Sequence, residues 1–144
     1  MESFFLYLQK SPFNLVLFGL AVVSGGMLLV PLFKRGLNAA AEVGPTDAVM
    51  LINRKDAVVL DVRSESEFAG GHITNSRHVP EKDIGDRAKE LEKFKSKPVI
   101  VSCASGRRAA TVVASLRKLG FTDAVALRGG IAAWQQAGMP LEKK

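Results

Sequence analysis

The residues best equipped for chemistry sit in one short run, Cys103-Ala104-Ser105-Gly106-Arg107-Arg108. The run follows a β-branched stretch, Val99-Ile100-Val101-Ser102, and precedes a helix-forming stretch, Ala109 to Leu119. The first N–H groups of a helix lack intrahelical partners, and the helix dipole adds partial positive charge there. A thiol held at that junction ionises readily and acts as a nucleophile, and an anion meets ready-made donors. We therefore read Cys103 as a candidate nucleophile. Ala104, Ser105, Gly106, Arg107 and Arg108 form its candidate anion-binding loop, with one of the two arginines facing the substrate and the other in solvent. The plain alternative is a small buried hydrophobe after a strand.

Such a loop needs a frame of strands and helices. Ala57 to Val62, Val99 to Ser102 and Ala124 to Leu127 are near-continuous apolar runs, as expected of strands covered on both faces. Shorter strands are expected near Arg77 to Val79 and at Glu42-Val43. Helices are expected over Asp47 to Asn53 with Thr46 as cap, after Ser64 with Glu67 as a capping box, over Asp83 to Phe94, over Ala109 to Leu119, and from Gly129-Gly130 through Trp134. Alternating strands and helices predict an α/β fold, a parallel sheet with helices on both faces. Ligands bind beyond the carboxyl ends of such strands, where Cys103, Asp61 and Arg63 fall. Asp61 and Arg63 are expected to support the site as an ion pair. His72 is expected to tie down a turn, and Trp134 belongs to the core.

The segment from Pro12 to Phe33 contains no charged residue and is long enough to cross a bilayer as a helix. A transmembrane helix is expected over residues 12–33, after a short segment 1–11 and before a linker 34–44. The rival is a cleaved signal peptide, with Lys10 ahead of the apolar run and Ala39-Ala40-Ala41 as its processing site. Lys34 and Arg35 between the run and those alanines oppose it. The same pair, followed by a Lys- and Arg-bearing domain, favours an inner-membrane protein with its C-terminal domain cytoplasmic. A net charge of +6 with acids interspersed and no aromatic stripe argues against nucleic acid and for proximity to anionic lipid. A single cysteine excludes an intrachain disulfide, and the spacing of His72 and His78 gives no metal site.

Several blocks together resemble rhodanese-like domains. Leu60-Asp61-Val62-Arg63 is similar to that family's DVR block, and Glu67 to Ile73 to its E-F-x-x-GHI block. Cys103 to Arg108 resembles its C-x-x-G-x-R loop. Leu119-Gly120-Phe121, Leu127 to Trp134 and Gly138-Met139-Pro140 resemble its closing blocks. The resemblance runs from Val43 to Leu141, and with the apolar N-terminal run the chain looks like a membrane-anchored bacterial single-domain rhodanese. It implies a rhodanese-like domain over residues 45–144 and sulfur transfer without a cofactor. Cys103 would take sulfane sulfur from a thiosulfate-like anion and pass it to a thiol acceptor, with Arg108 the arginine that the family pattern favours. Phosphatases on this fold have a loop one residue longer, and the position one beyond Arg108 is Ala109. The other alternative is a non-catalytic interaction module serving a membrane-protein complex.

Overall fold

The computed structural model describes residues 12–38 and 41–144, without the side chains of residues 28–38. The chain divides into two compact units, Met1–Ala39 and Ala40–Lys144. In the first, helix α1 runs from Pro12 to Asn38. Its described side chains, residues 12–27, cover about 24 Å at 1.5 Å per residue. Among the described residues no helix is long and apolar enough to cross a membrane. The span expected over 12–33 is therefore not found within them. The expected segment 1–11, the side chains of Lys34 and Arg35 and residues 39–40 of the linker lie outside what is described.

The second unit is built on five parallel strands: β1 (Glu42–Val43), β2 (Val58–Asp61), β3 (Arg77–His78), β4 (Val99–Ser102) and β5 (Ala124–Leu127), in the order β1-β5-β4-β2-β3. Side chains alternate across a strand, so each apolar run feeds two cores. On one face Leu60, Val99, Val101, Ala124 and Ala126 pack with Ala109, Val112, Val113 and Leu116 of helix α5 (Arg107–Lys118) and Leu91 of helix α4 (Ala88–Leu91). On the other, Val59, Ile100 and Leu127 pack with Ala48 of helix α2 (Pro45–Lys55) and with Ile131 and Trp134 of helix α6 (Gly130–Gln136). Both faces are covered, which is why β2, β4 and β5 read as unbroken apolar runs. Helix α3 (Glu65–Ala69) connects β2 toward β3.

Three local expectations are corrected. Helix α2 starts at Pro45 rather than Asp47, with Gly44 as its N-cap and no side-chain cap, so Thr46 lies inside the first turn. Proline at the first helical position needs no N–H partner and presets φ, which moves the start upstream. The stretch from Asp83 to Phe94 is not one helix. It is a 3₁₀ turn at Glu81–Asp83, the four residues of α4, and a second 3₁₀ turn at Glu92–Phe94. Gly85 is a poor helix former, and Asp83 and Ile84 already donate to the carbonyls of Pro80 and Glu81 in tighter turns. Helix α5 begins at Arg107, two residues before the expected Ala109, so both loop arginines belong to its first turn.

A buried ion pair closes the strand ends around the future site. Asp61 is fully buried and Arg63 nearly so. Arg63 donates from its backbone N–H, Nε and NH2 to the Asp61 carboxylate, with NH2 at 2.7 Å from Oδ2. The same NH2 donates to the Gly71 carbonyl at 2.6 Å, which fastens the end of β2 to the turn after α3. His78 Nε2 bonds the Arg63 carbonyl oxygen at 2.8 Å, and Phe68 is stacked between His72 and His78 at centroid distances of 3.9 and 4.4 Å. His72 Nδ1 reaches the Phe68 carbonyl at 3.0 Å, so this histidine does hold a turn.

Candidate active site

Cys103 follows the last residue of β4, at the carboxyl end of the sheet's central strands. The loop after it is shaped from behind. Ile131 N–H donates to the Cys103 carbonyl at 2.8 Å, and Ala132 N–H to the Ala104 carbonyl at 3.3 Å. The exposed donors at the start of α6 are thus satisfied by the loop's own carbonyls. Turned toward α6, these carbonyls leave the loop's N–H groups to the opposite side. There Gly106 N–H donates to Cys103 Sγ at 2.9 Å, giving negative charge on the sulfur a fixed partner.

Two glycines make this close approach possible. Gly130 has φ +61, and a Cβ on it would overlap the Cys103 carbonyl oxygen and come within 2.8 Å of the Ala104 carbonyl carbon. Gly106 has φ +95 and serves as the left-handed N-cap of α5, with its would-be Cβ 3.2 Å from Gly129 N.

The two arginines part company. Arg107 is exposed, whereas Arg108 is half-buried and turns toward α3. Its NH2 donates to Glu67 Oε1 at 2.9 Å and its NH1 to Oε2 at 3.3 Å. Arg108 also lies close enough to Cys103 for a thiolate there to raise the guanidinium's affinity for its proton, after the larger effect of the Glu67 hydrogen bond. Glu67 is the residue that the sequence reading assigned only a structural part. Its Oε2 accepts from Ser64 N–H at 2.9 Å and from Ser64 Oγ at 2.8 Å, completing the capping box of α3. One carboxylate therefore caps the start of α3 and holds the arginine of the cysteine loop. The signal was present, since Glu67 opens the E-F-x-x-GHI block, but its capping role accounted for it locally.

Of the candidate site residues, the structure brings Cys103, Gly106 and Arg108 together. Ala104 contributes its carbonyl to the α6 brace, and Ser105 and Arg107 are exposed. Asp61 and Arg63 are spent on each other and on Gly71. Cys103 itself is buried at 1 % exposure and belongs to the α5-side core, so the plain reading as a packed hydrophobe accounts for its place but not for the Gly106 donor.

Comparison with known proteins gives a consistent result. Residues 45–137 match the family model of the Rhodanese-like domain. The chain is 36% identical over 115 residues to the uncharacterized protein YibN of Escherichia coli (strain K12), covering 79% of this chain and 80% of that protein. It is 36% identical over 93 residues to the thiosulfate sulfurtransferase GlpE of Pseudomonas fluorescens (strain SBW25), covering 63% of this chain and 82% of that one. Among solved structures, a rhodanese-related protein of Thermoplasma volcanium superposes with a TM-score of 0.66 at 33% identity, over 72% of this chain and 99% of that one.

The Glu67–Arg108 bond generates a pH prediction. The Arg108 hydrogen bond, helped by Ser64 N–H, lowers the Glu67 carboxyl to about 2. A carboxyl whose folded value lies below its unfolded one stabilises the fold above the ordinary carboxylate range. That contribution fades as pH falls from the ordinary range toward about 2. Carboxyl-carbon NMR should give a Glu67 midpoint near 2, returning toward the ordinary range in Arg108→Ala. An ordinary midpoint in the native protein would dissolve the shared-carboxylate account.

Proposed function

This chain belongs to the rhodanese-like family, and on that premise we propose that it is a membrane-anchored sulfurtransferase in which Cys103 carries sulfur as a persulfide. The observation that carries the reading is the Gly106 N–H aimed at Cys103 Sγ at 2.9 Å, in a loop whose arginine is held by Glu67. The Cys103 thiolate attacks the outer sulfur of a thiosulfate-like donor. The donor's S–S bond breaks, sulfite leaves with the bonding pair, and Cys103 keeps the transferred sulfur as a persulfide. An acceptor thiolate then attacks that terminal sulfur, forms its own persulfide and returns Cys103 as thiolate. No cofactor enters either half, since sulfur changes hands by nucleophilic displacement.

The loop's part is electrostatic. Donor N–H groups fixed before the reaction stabilise the charge that builds as sulfite departs. Glu67 takes one N–H from each terminal nitrogen of Arg108, leaving three of the guanidinium's five N–H donors for a donor oxyanion. Arg107, exposed at the first position of α5, contributes long-range attraction only. The curated relative named thiosulfate sulfurtransferase supports this donor class.

Incubation with thiosulfate should add one sulfur atom to Cys103, read by intact mass, and Cys103→Ser should add none. Arg108→Ala should lower thiosulfate kcat/KM roughly tenfold to a hundredfold, as expected for one charge-assisted hydrogen bond, while Arg107→Ala stays near native. Absence of sulfur on the native protein would overturn the catalytic reading in favour of an interaction module.

The anchoring half of the proposal rests on the uncharged run 12–33, on the helical course of Pro12–Asn38, and on exposed apolar side chains such as Phe13, Val23 and Met27. Apolar side chains of this size turned outward along a helix suit lipid rather than water. The Lys34-Arg35 pair after the apolar run supports a C-terminal domain on the cytoplasmic side of the inner membrane. The protein should stay with membranes through alkaline carbonate, and its domain should be digested in inverted vesicles but protected in right-side-out ones. Release by carbonate would remove the anchor, and digestion from the periplasmic side would reverse the topology.

A further inference from the structure

The Glu67 carboxylate orients Arg108, and it also sets the charge that a sulfur donor meets at the loop. Arg108 NH2 donates to Glu67 Oε1 at 2.9 Å and NH1 to Oε2 at 3.3 Å, so the loop's cation is already paired. Hydrogen bonds from Arg108 and Ser64 hold the Glu67 carboxyl at about 2, so it is ionised wherever a thiolate can form. Both side chains keep more than a third of their surface in solvent, whereas Cys103 is buried. A donor therefore reaches Cys103 with its outer sulfur, and the rest of its charge stays toward the paired side chains.

The charges at that point do not favour a dianion. With the thiolate formed, Cys103, Arg108 and Glu67 together carry one net negative charge. Glu81, a second carboxylate within electrostatic reach of Arg108, adds to it. Arg107, the other cation of the loop, is exposed and screened by solvent. Thiosulfate brings two negative charges into this field. An organic thiosulfonate, R–SO2–S−, has carbon in place of one oxyanion and brings only one. Both donors react alike. The thiolate bonds to the outer sulfur, the S–S bond breaks, and the electron pair leaves with sulfite or with the sulfinate. The Gly106 N–H at Cys103 Sγ serves either reaction, so it does not discriminate between them.

We propose that Glu67 is a specificity-determining residue whose negative charge favours organic sulfane donors of a single negative charge over dianionic thiosulfate. The proposal rests on Cys103 as the sulfur carrier and narrows the class of donor that loads it. Arg108 still meets the donor's oxyanion through the N–H groups that Glu67 leaves free. One cation already shared with a carboxylate offsets one further negative charge better than two.

The test is the rate at which Cys103 is loaded by thiosulfate and by the methanethiosulfonate anion, followed by quenched intact mass on the full chain in neutral detergent. The two donors differ in intrinsic reactivity, so the quantity read is the ratio of their second-order rate constants in each variant. Glu67→Gln keeps a side chain suited to the third position of α3 and able to accept from Arg108, but removes the charge. It should raise the ratio of thiosulfate to methanethiosulfonate roughly fivefold to tenfold, the effect of one unit charge several ångströms away at the edge of solvent. Glu67→Asp keeps the charge on a shorter arm, so both rates should fall while the ratio stays near native. A ratio unchanged in folded Glu67→Gln would overturn the proposal, since a residue that only positions Arg108 would alter both rates alike. A ratio raised as far in Glu67→Asp would also overturn it, because the charge would not be the cause. Either result leaves Cys103 standing as the sulfur carrier. Loading of the native protein by neither donor would remove that reading, and this proposal with it.

Discussion

The site depends on where two carbonyl groups point. A loop between a strand and a helix can direct its N–H groups toward a side chain only if its C=O groups are satisfied elsewhere. Here the start of α6 satisfies them, through Ile131 N–H on Cys103 and Ala132 N–H on Ala104. Buried backbone groups without partners are costly, so this pairing fixes the loop more firmly than its own sequence could. The glycine at 130 is what lets α6 come that near, for any Cβ there would occupy the space of the Cys103 carbonyl. From this brace follow the Gly106 donor at the sulfur, the start of α5 at Arg107, and the separate directions taken by the two arginines.

The other wall of the site is held by shared groups. Glu67 caps the start of α3 and clamps Arg108 with the same carboxylate, so a change in one is transmitted to the other. Arg63 joins Asp61 to the Gly71 carbonyl with comparable economy, holding the end of β2 against the turn that leads to β3. Removing one partner from a buried pair of this kind leaves a charge without compensation, typically a loss of about 3–5 kcal/mol. The Glu67–Arg108 pair is more exposed, so solvent screens its contribution to stability and its larger part is in orientation.

Much of this was legible in the chain because it is local. The runs at Val58, Val99 and Ala124 are strands because both faces of the sheet are covered, and their apolar continuity says so. Ser64 and Glu67 are three residues apart, and their capping box could be read directly. Asp61 and Arg63 are two apart at a strand end. What could not be read is what folding brings together from a distance. Glu67 and Arg108 are separated by 41 residues, and no pattern in either segment announces the other. Arg77 and Lys93 reach the same Phe94 ring only because β3 is an edge strand with residues 87–94 packed beside it. The failed helix over Asp83 to Phe94 shows the converse, a helical spacing of apolar residues overridden by tight turns around Gly85.

The claim that the α6 brace builds a sulfur-accepting loop is tested most directly at Gly130. Gly130→Ala changes no group that touches a sulfur donor, yet its methyl must displace the Cys103 and Ala104 carbonyls or the start of α6. The measurement is the amount of sulfur loaded from thiosulfate onto Cys103 per folded molecule, by intact mass, with a melting curve on the same sample. The account predicts a cooperative melt with loading lowered at least about tenfold, the cost of misplacing a preorganised donor. Native loading by folded Gly130→Ala would contradict it.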